Sequence, residues 1–211
     1  MNIVVIGTGG LAREFSKFFS KEVNIIGFSS TNTNEFEDFL LKGKFFGGAI
    51  TPEIVGTKHV VLAIGSPHAK RIVSERLKSL GFDFPNLVHS STVTATTIDD
   101  ANSEGIIISP NCVIGSNVSF SNHVYINFMV GIGHDVSFDN FVQVNPGVQI
   151  GGAVSIGEGV LLGSGSIIRQ GLRVQKSSTV GSGSVVLSSV REGITVIGNP
   201  AKRLKLASFD E

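Results

Sequence analysis

Between residues 108 and 186 an apolar side chain returns at every sixth position: Ile108, Ile114, Phe120, Ile126, Ile132, Phe138, Val144, Ile150, Ile156, Leu162, Ile168, Val174, Val180 and Val186. Six of them, Ile114, Ile132, Ile150, Ile156, Leu162 and Val180, are followed directly by glycine. A period of six fits neither an amphipathic helix nor an isolated strand, but it suits a coil whose short strands each send one large residue inward before turning. A second series lies four residues after the first: Cys112, Val118, Val124, Val130, Val136, Val142, Val148, Val154, Val160, Leu172 and Val190, with Ser166, Ser178 and Ser184. These small or β-branched side chains fill the space the large ones leave. With three hexads per coil, the pattern predicts a triangular prism of about four to five parallel coils over residues 106–190, an all-β helix that needs a cap at each end. Residues 197–206 are the expected C-terminal cap. Flat outer faces and apolar residues such as Phe128, Met129 and Phe141 predict self-association as a homotrimer.

The preceding residues follow a different pattern. Strand-like runs at 3–6, 24–28 and 60–64 alternate with helical patterns at 11–19 and 67–80, the βαβ order of a small parallel sheet covered by helices. Gly81 to Pro85 ends the second helix, and helix formers almost vanish from about residue 90. The expected division is a Rossmann-like α/β domain over 1–88 and the β-helix over 89–211.

The composition narrows the function. With 41% hydrophobic residues the 211-residue chain can build a real core, and 17 basic against 17 acidic residues give no broad attraction to nucleic acid or an anionic membrane. No apolar run reaches the roughly 18 residues of a membrane span, and the N-terminus lacks a signal-peptide pattern, so a cytoplasmic protein is expected. The single cysteine, Cys112, falls in the small inward series and reads as a buried filler.

Candidate chemistry sits at a turn. His134 holds the third place of its hexad, after Ile132 and Gly133, which puts it on a corner facing outward. An imidazole titrates near neutral pH and can take a proton from an attacking amine or hydroxyl; Asp135 beside it can fix the tautomer and stabilise the charged ring. His59, His68 and His89 read as structural or surface residues. His123 lies near another corner, but it and His134 supply two ligands where a catalytic zinc needs three, so no metal is expected. In the N-terminal domain Gly7, Gly9 and Ala12 form a G-x-G-x-x-A turn whose backbone N–H groups and helix dipole favour a phosphate. A nicotinamide dinucleotide is disfavoured, because the second strand ends in Phe28-Ser29-Ser30-Thr31-Asn32 without the acidic residue that binds ribose. The alternative is a glycine turn that only allows tight packing.

Taken in order, Gly7-Thr8-Gly9-Gly10-Leu11-Ala12, Ala63-Ile64-Gly65, Asn86-Leu87-Val88-His89, Gly133-His134-Asp135, Asn145-Pro146-Gly147 and Gly198-Asn199-Pro200-Ala201-Lys202 resemble the sugar acyltransferases of the left-handed β-helix superfamily. The branch is that of sialic acid O-acetyltransferases and of N-acetyltransferases acting on nucleotide-linked 4-amino sugars. The resemblance implies a left-handed β-helix, acetyl-CoA as co-substrate without a metal, and His134 as general base with Asp135 in support. It implies a nucleotide-sugar held by Gly7, Thr8, Gly9, Gly10, Leu11, Ser29, Ser30, Ile64, Gly65 and Ser66. Acetyl-CoA would meet Asn127, Gly152, Pro200, Lys202 and Arg203, the last two also reading as a plain basic end cap. Many members carry His at the place of Leu11, Asp at Ser30 and often His at Gln143. The leading expectation is N-acetylation of a nucleotide-linked amino sugar, 4-amino-4,6-dideoxy in type, for bacterial surface glycans. Alternatives are O-acetylation of sialic acid or a related sugar, a non-catalytic nucleotide-sugar-binding trimer, and a zinc hydrase like the gamma-class carbonic anhydrases.

Overall fold

The computed structural model describes residues 1–98 and 103–204. The chain opens with β1 (Asn2–Ile6), α1 (Gly10–Phe18), β2 (Asn24–Ser29), α2 (Thr33–Asp38), β3 (Lys44–Phe45), α3 (Pro52–Val55), β4 (Val60–Leu62) and α4 (Pro67–Ser79). The four strands pair in parallel in the order β3-β2-β1-β4, the Rossmann-like arrangement that the βαβ pattern implies. Ser66 caps α4 by accepting from Ala69 N at 3.3 Å, with Pro67 at the first position where its missing N–H costs nothing.

From Leu87 onward two- and three-residue strands wind into three sheets, parallel in every pairing but the last one of the first face. The first face holds eight strands from Leu87–Val88 to Lys202–Arg203, the second six from Val93–Thr94 to Val185–Val186, and the third four from Ser119–Phe120 to Arg173–Val174. Register is set by one turn of the prism: Tyr125 pairs with Gln143, Gly131 with Gln149 and Ser137 with Ser155, each step 18 residues along the chain. Every member of both inward series is buried, and with Val196 and Ile98 they form one continuous core. Each buried Val, Ile or Leu side chain contributes about 1.5–3 kcal/mol. Phe120 and Phe138 stack inside it at 5.1 Å with planes 1° apart.

The corners explain the glycines. Thirteen consecutive corner positions, from Asn111 through Asp135 to Gly183, have positive φ between 55° and 74°. That conformation favours Gly and Asn, so those residues are frequent at this phase, yet His123, Met129 and Phe141 also adopt it. Glycines directly after the large residues answer a different need: a Cβ on Gly133 would lie 2.6 Å from Gly152 N in the next coil.

At the far end Thr195–Ile197 continues the first face and Lys202–Arg203 turns back antiparallel on it. Residues 205 and 206 of the expected cap lie outside the described residues. The N-terminal domain packs on the first face, where Ile107 and Tyr125 join its core and Lys70, 1% exposed, donates from Nζ to Gln143 Oε1 at 3.0 Å. Burial pushes the Lys70 ammonium down to about 7. Arg71 pairs with Glu158 and Lys78 with Glu104 across the same seam. Phe128 and Phe141 differ from the expectation of bare self-association residues. Phe128 meets Phe18 of α1 edge-on at 5.8 Å, and Phe141 stacks on His123 at 5.0 Å beneath Arg71; Met129 alone of the three is exposed. The second face also carries exposed apolar residues, at Val93, Val113 and Ile167.

Candidate active site

His134 stands on the corner between the second and third faces, in the turn from Gly131–Ile132 to Ser137–Phe138. Its side chain is 56% exposed, so the ring lies outside its own coil. Nδ1 is 2.7 Å from Asp135 Oδ2, and Asp135 Oδ1 accepts from Asn117 Nδ2 at 2.6 Å. Those two hydrogen bonds, from Asn117 and then His134, hold the Asp135 carboxyl below its ordinary range. With Asp135 accepting at Nδ1, a neutral ring carries its proton there and presents Nε2 as the free base. The opposite wall is Gly152, one coil on: a Cβ there would lie 2.5 Å from Nε2, 2.7 Å from Cε1 and 2.9 Å from Cδ2. The imidazole thus rests on bare backbone.

Asn117 and Gly152 sit 18 residues before Asp135 and after His134, so the coil repeat places them. Asn117 carries no motif of its own, and the 18-residue step from Asp135 is its one mark in the sequence. Asn127, by contrast, belongs to the corner between the first and second faces, away from His134 and Gly152 within one chain. It is buried, and its Oδ1 accepts from Phe128 N at 2.8 Å. Lys202 and Arg203 are exposed and, with Arg191, line a cleft of about 390 Å³ at the capped end; Pro200 is exposed in the preceding turn, after a cis peptide bond.

The expected nucleotide-binding residues divide into two groups. Gly7, Ser29, Ser30 and Ile64 line a cavity of about 270 Å³ with Thr31, Ile50, Val73 and Arg76. Ser66 instead lines a cleft of about 350 Å³ with His68, Arg71, Leu161 and Thr179, where α4 meets the first face. Gly65 is the residue before that cap and has open space at its Cα. Gly7, at φ 117°, lets β1 turn against Ala63 O, which a Cβ would approach to 2.9 Å. Gly9 is the N-cap of α1 and Gly10 its first residue. Leu11 packs against the domain's apolar core. Ser29 Oγ donates to Gly47 O at 2.6 Å. A carboxylate also reaches the turn: Thr8 Oγ1 donates to Glu35 Oε2 at 2.8 Å. Strand β2 ends without an acidic residue, but Glu35 arrives from α2, so the missing strand-end carboxylate no longer argues against ribose at this turn.

Two of the remaining histidines are held by neighbours, while His68 is exposed in the cleft beside Ser66. His123 is buried between Phe84 and Phe141, and burial, then Lys70 and Lys78, push its pKa down to about 4. His89 Nδ1 lies 2.8 Å from Ser91 Oγ, and its ring packs edge-on against Phe19. Among the described residues no three His, Cys, Asp or Glu side chains gather as a metal site, and no helix is long and apolar enough to cross a membrane.

No protein-family profile matches the sequence, and no curated protein matches it. Solved structures do. The acetyltransferase domain of PglB from Neisseria gonorrhoeae is 26% identical with a TM-score of 0.83, covering 96% of this chain and 99% of that one. The same domain in complex with acetyl coenzyme A is 25% identical, with a TM-score of 0.79 and 96% and 98% covered. PerB from Caulobacter crescentus, in complex with CoA and GDP-perosamine, is 22% identical with a TM-score of 0.81, covering 97% and 98%, a likeness of fold. The class follows from the architecture: the chain has the fold of the hexapeptide-repeat acyltransferases, a Rossmann-like domain on a left-handed parallel β-helix, and is an acyltransferase of that build. In each case the likeness runs along nearly the whole length of both chains.

Proposed function

We propose that the chain is an acetyl-CoA-dependent N-acetyltransferase of a nucleotide-linked amino sugar, 4-amino-4,6-dideoxy in type, working in the bacterial cytoplasm on precursors of surface glycans. The observation that carries this reading is the Asn117–Asp135–His134 chain of hydrogen bonds ending at an exposed Nε2. Acyl transfer to an amine needs such an acceptor: the nitrogen attacks the thioester carbonyl, its N–H proton passes to His134 Nε2, and CoA leaves as the thiolate or thiol. Asp135 stabilises the imidazolium that forms. Positioning the amine against the thioester supplies most of the acceleration, with about 10²- to 10⁴-fold more from the base.

The division of labour follows the two parts of the chain, residues 1–88 holding the nucleotide and 89–211 the acetyl donor. The apolar cavity beside Gly7 and Ser29 takes the nucleobase, and Ser66, directly after Gly65, lines the path toward the β-helix. Lys202 and Arg203, with Arg191, meet CoA phosphates at the capped end. A homotrimer completes the site. Asn127 and Gly152 occupy different corners of one prism, so a single CoA touching both lies between two copies, and the exposed apolar second face borders the His134 corner.

The test is transfer from acetyl-CoA, read as thiol release, across a panel of nucleotide-linked 4-amino sugars and their 4-hydroxy counterparts. Turnover of an amino sugar with little on the matched hydroxy sugar is the expected result. Turnover confined to hydroxy sugars overturns N-acetylation, and absence of CoA binding by calorimetry overturns acyl transfer altogether.

A further inference from the structure

Lys70 is a buried amine with no acid to meet it. Its Nζ donates to Gln143 Oε1 at 3.0 Å and lies 5.4 Å from the centre of the Tyr125 ring, and among the described residues no carboxylate pairs with it. Gln143 is as deeply buried as Lys70, so its amide is held in one orientation. A protonated amine carries donors only, which makes the amide atom facing it the oxygen and leaves Nε2 to donate to Asn145 Oδ1 at 3.3 Å. Asn145 Nδ2 is thereby turned away from Gln143. Each N–H along this line meets the next oxygen, and the last amide presents its N–H groups outward.

Asn127, one coil earlier at the same corner of the prism, is set the same way, since its Oδ1 accepts from Phe128 N at 2.8 Å. Among the described residues neither Nδ2 has a hydrogen-bond partner, and neither is sealed from solvent. Tyr125 pairs with Gln143, so the two asparagines stand on neighbouring coils, about 4.8 Å apart along the stack. Two uncharged N–H₂ groups at that spacing suit a carbonyl oxygen; phosphates draw on cations such as those at the capped end. In the two-copy site described above, the arm of CoA between its phosphates and the thioester passes this corner, and it carries two amide carbonyls.

We propose that Gln143, its amide fixed by Lys70, is a positioning residue that holds Asn145 Nδ2 toward an amide carbonyl of the CoA arm. This rests on the acyl-transfer reading above. The test is calorimetry with CoA on the full chain, at pH 6 so that Lys70, brought by burial to about 7, carries its proton. The parent is compared with Gln143→Glu, Asn145→Ala and the double variant, with thermal unfolding alongside. A glutamate still accepts from Lys70, but it has no N–H for Asn145 and draws Nδ2 inward instead. Each single change should weaken CoA binding about fivefold, the worth of one hydrogen bond. Because Gln143 acts through Asn145, the double variant should match Asn145→Ala within about twofold, whereas general damage to the seam would add to it. Binding by either single variant within about twofold of the parent, or losses that add in the double variant, overturns the role of Gln143 and leaves the acyl-transfer reading standing. Absence of CoA binding by the unaltered chain overturns that reading, and this inference with it.

Discussion

Adding one methyl group at Gly152 moves the candidate base without deleting it. The new Cβ would stand 2.5 Å from His134 Nε2 and under 3 Å from Cε1 and Cδ2, whereas non-bonded heavy atoms rest about 3.5 Å apart or more. The ring must therefore withdraw by about 1 Å, and it can do so because its outer side is open to solvent. A reacting group misplaced by about 1 Å costs roughly 10²-fold in turnover. Stability should change by less than about 1 kcal/mol, since the displaced side chain is half exposed and leaves no cavity. The assay is steady-state thiol release from acetyl-CoA in Gly152→Ala, His134→Ala and the double variant, with thermal unfolding alongside. In the double variant the methyl has no ring to push, so turnover should match His134→Ala within about threefold, the non-additivity of two changes acting on one group. Turnover of Gly152→Ala within threefold of the parent would refute the claim that the ring position matters.

Two further outcomes follow from the hydrogen bonds and the buried ring. Asn117→Ala removes the first support of Asp135, so the carboxyl rises toward its ordinary range and turnover falls by about fivefold, the worth of one hydrogen bond, read by the same assay. His123 has its folded pKa depressed from 6.5 to about 4, so the native ring stays neutral where the unfolded one takes a proton. Stability is then whole above pH 6.5 and is lost as pH falls toward 4, by up to about 3 kcal/mol from this group. Urea unfolding of the parent and His123→Leu at pH 7 and 4.5 checks this: the parent should lose more stability between the two pH values than the variant, and equal losses would contradict it.

The coil was legible because its information is local. Both inward series repeat at a fixed step, so burial of Val136 or Ser166 could be read without knowing what they touch. The same periodicity put His134 on a corner. The third regularity, the positive-φ position at every corner, was hidden because it is carried by Asn, Met, Asp, Phe, Ala and Ser as well as Gly. Helix α2 buries none of its residues and α3 spans four, so neither leaves a periodic apolar stripe. Glu35 was missed for the same reason, since only the packing of Phe36 on the sheet carries its carboxylate back over Thr8. Phe128 and Phe141 were assigned to open faces from hydrophobicity alone, but where the N-terminal domain lies against the prism is a tertiary fact that a hexad pattern does not hold.

The central claim is that the imidazole at position 134 takes the acceptor's proton during acyl transfer. Its most direct measurement is turnover and CoA affinity of His134→Ala beside the unaltered chain. The account predicts a loss of about 10²- to 10⁴-fold in kcat with CoA affinity within about twofold of the parent. Unchanged kcat, or a loss explained wholly by weaker CoA binding, would contradict it.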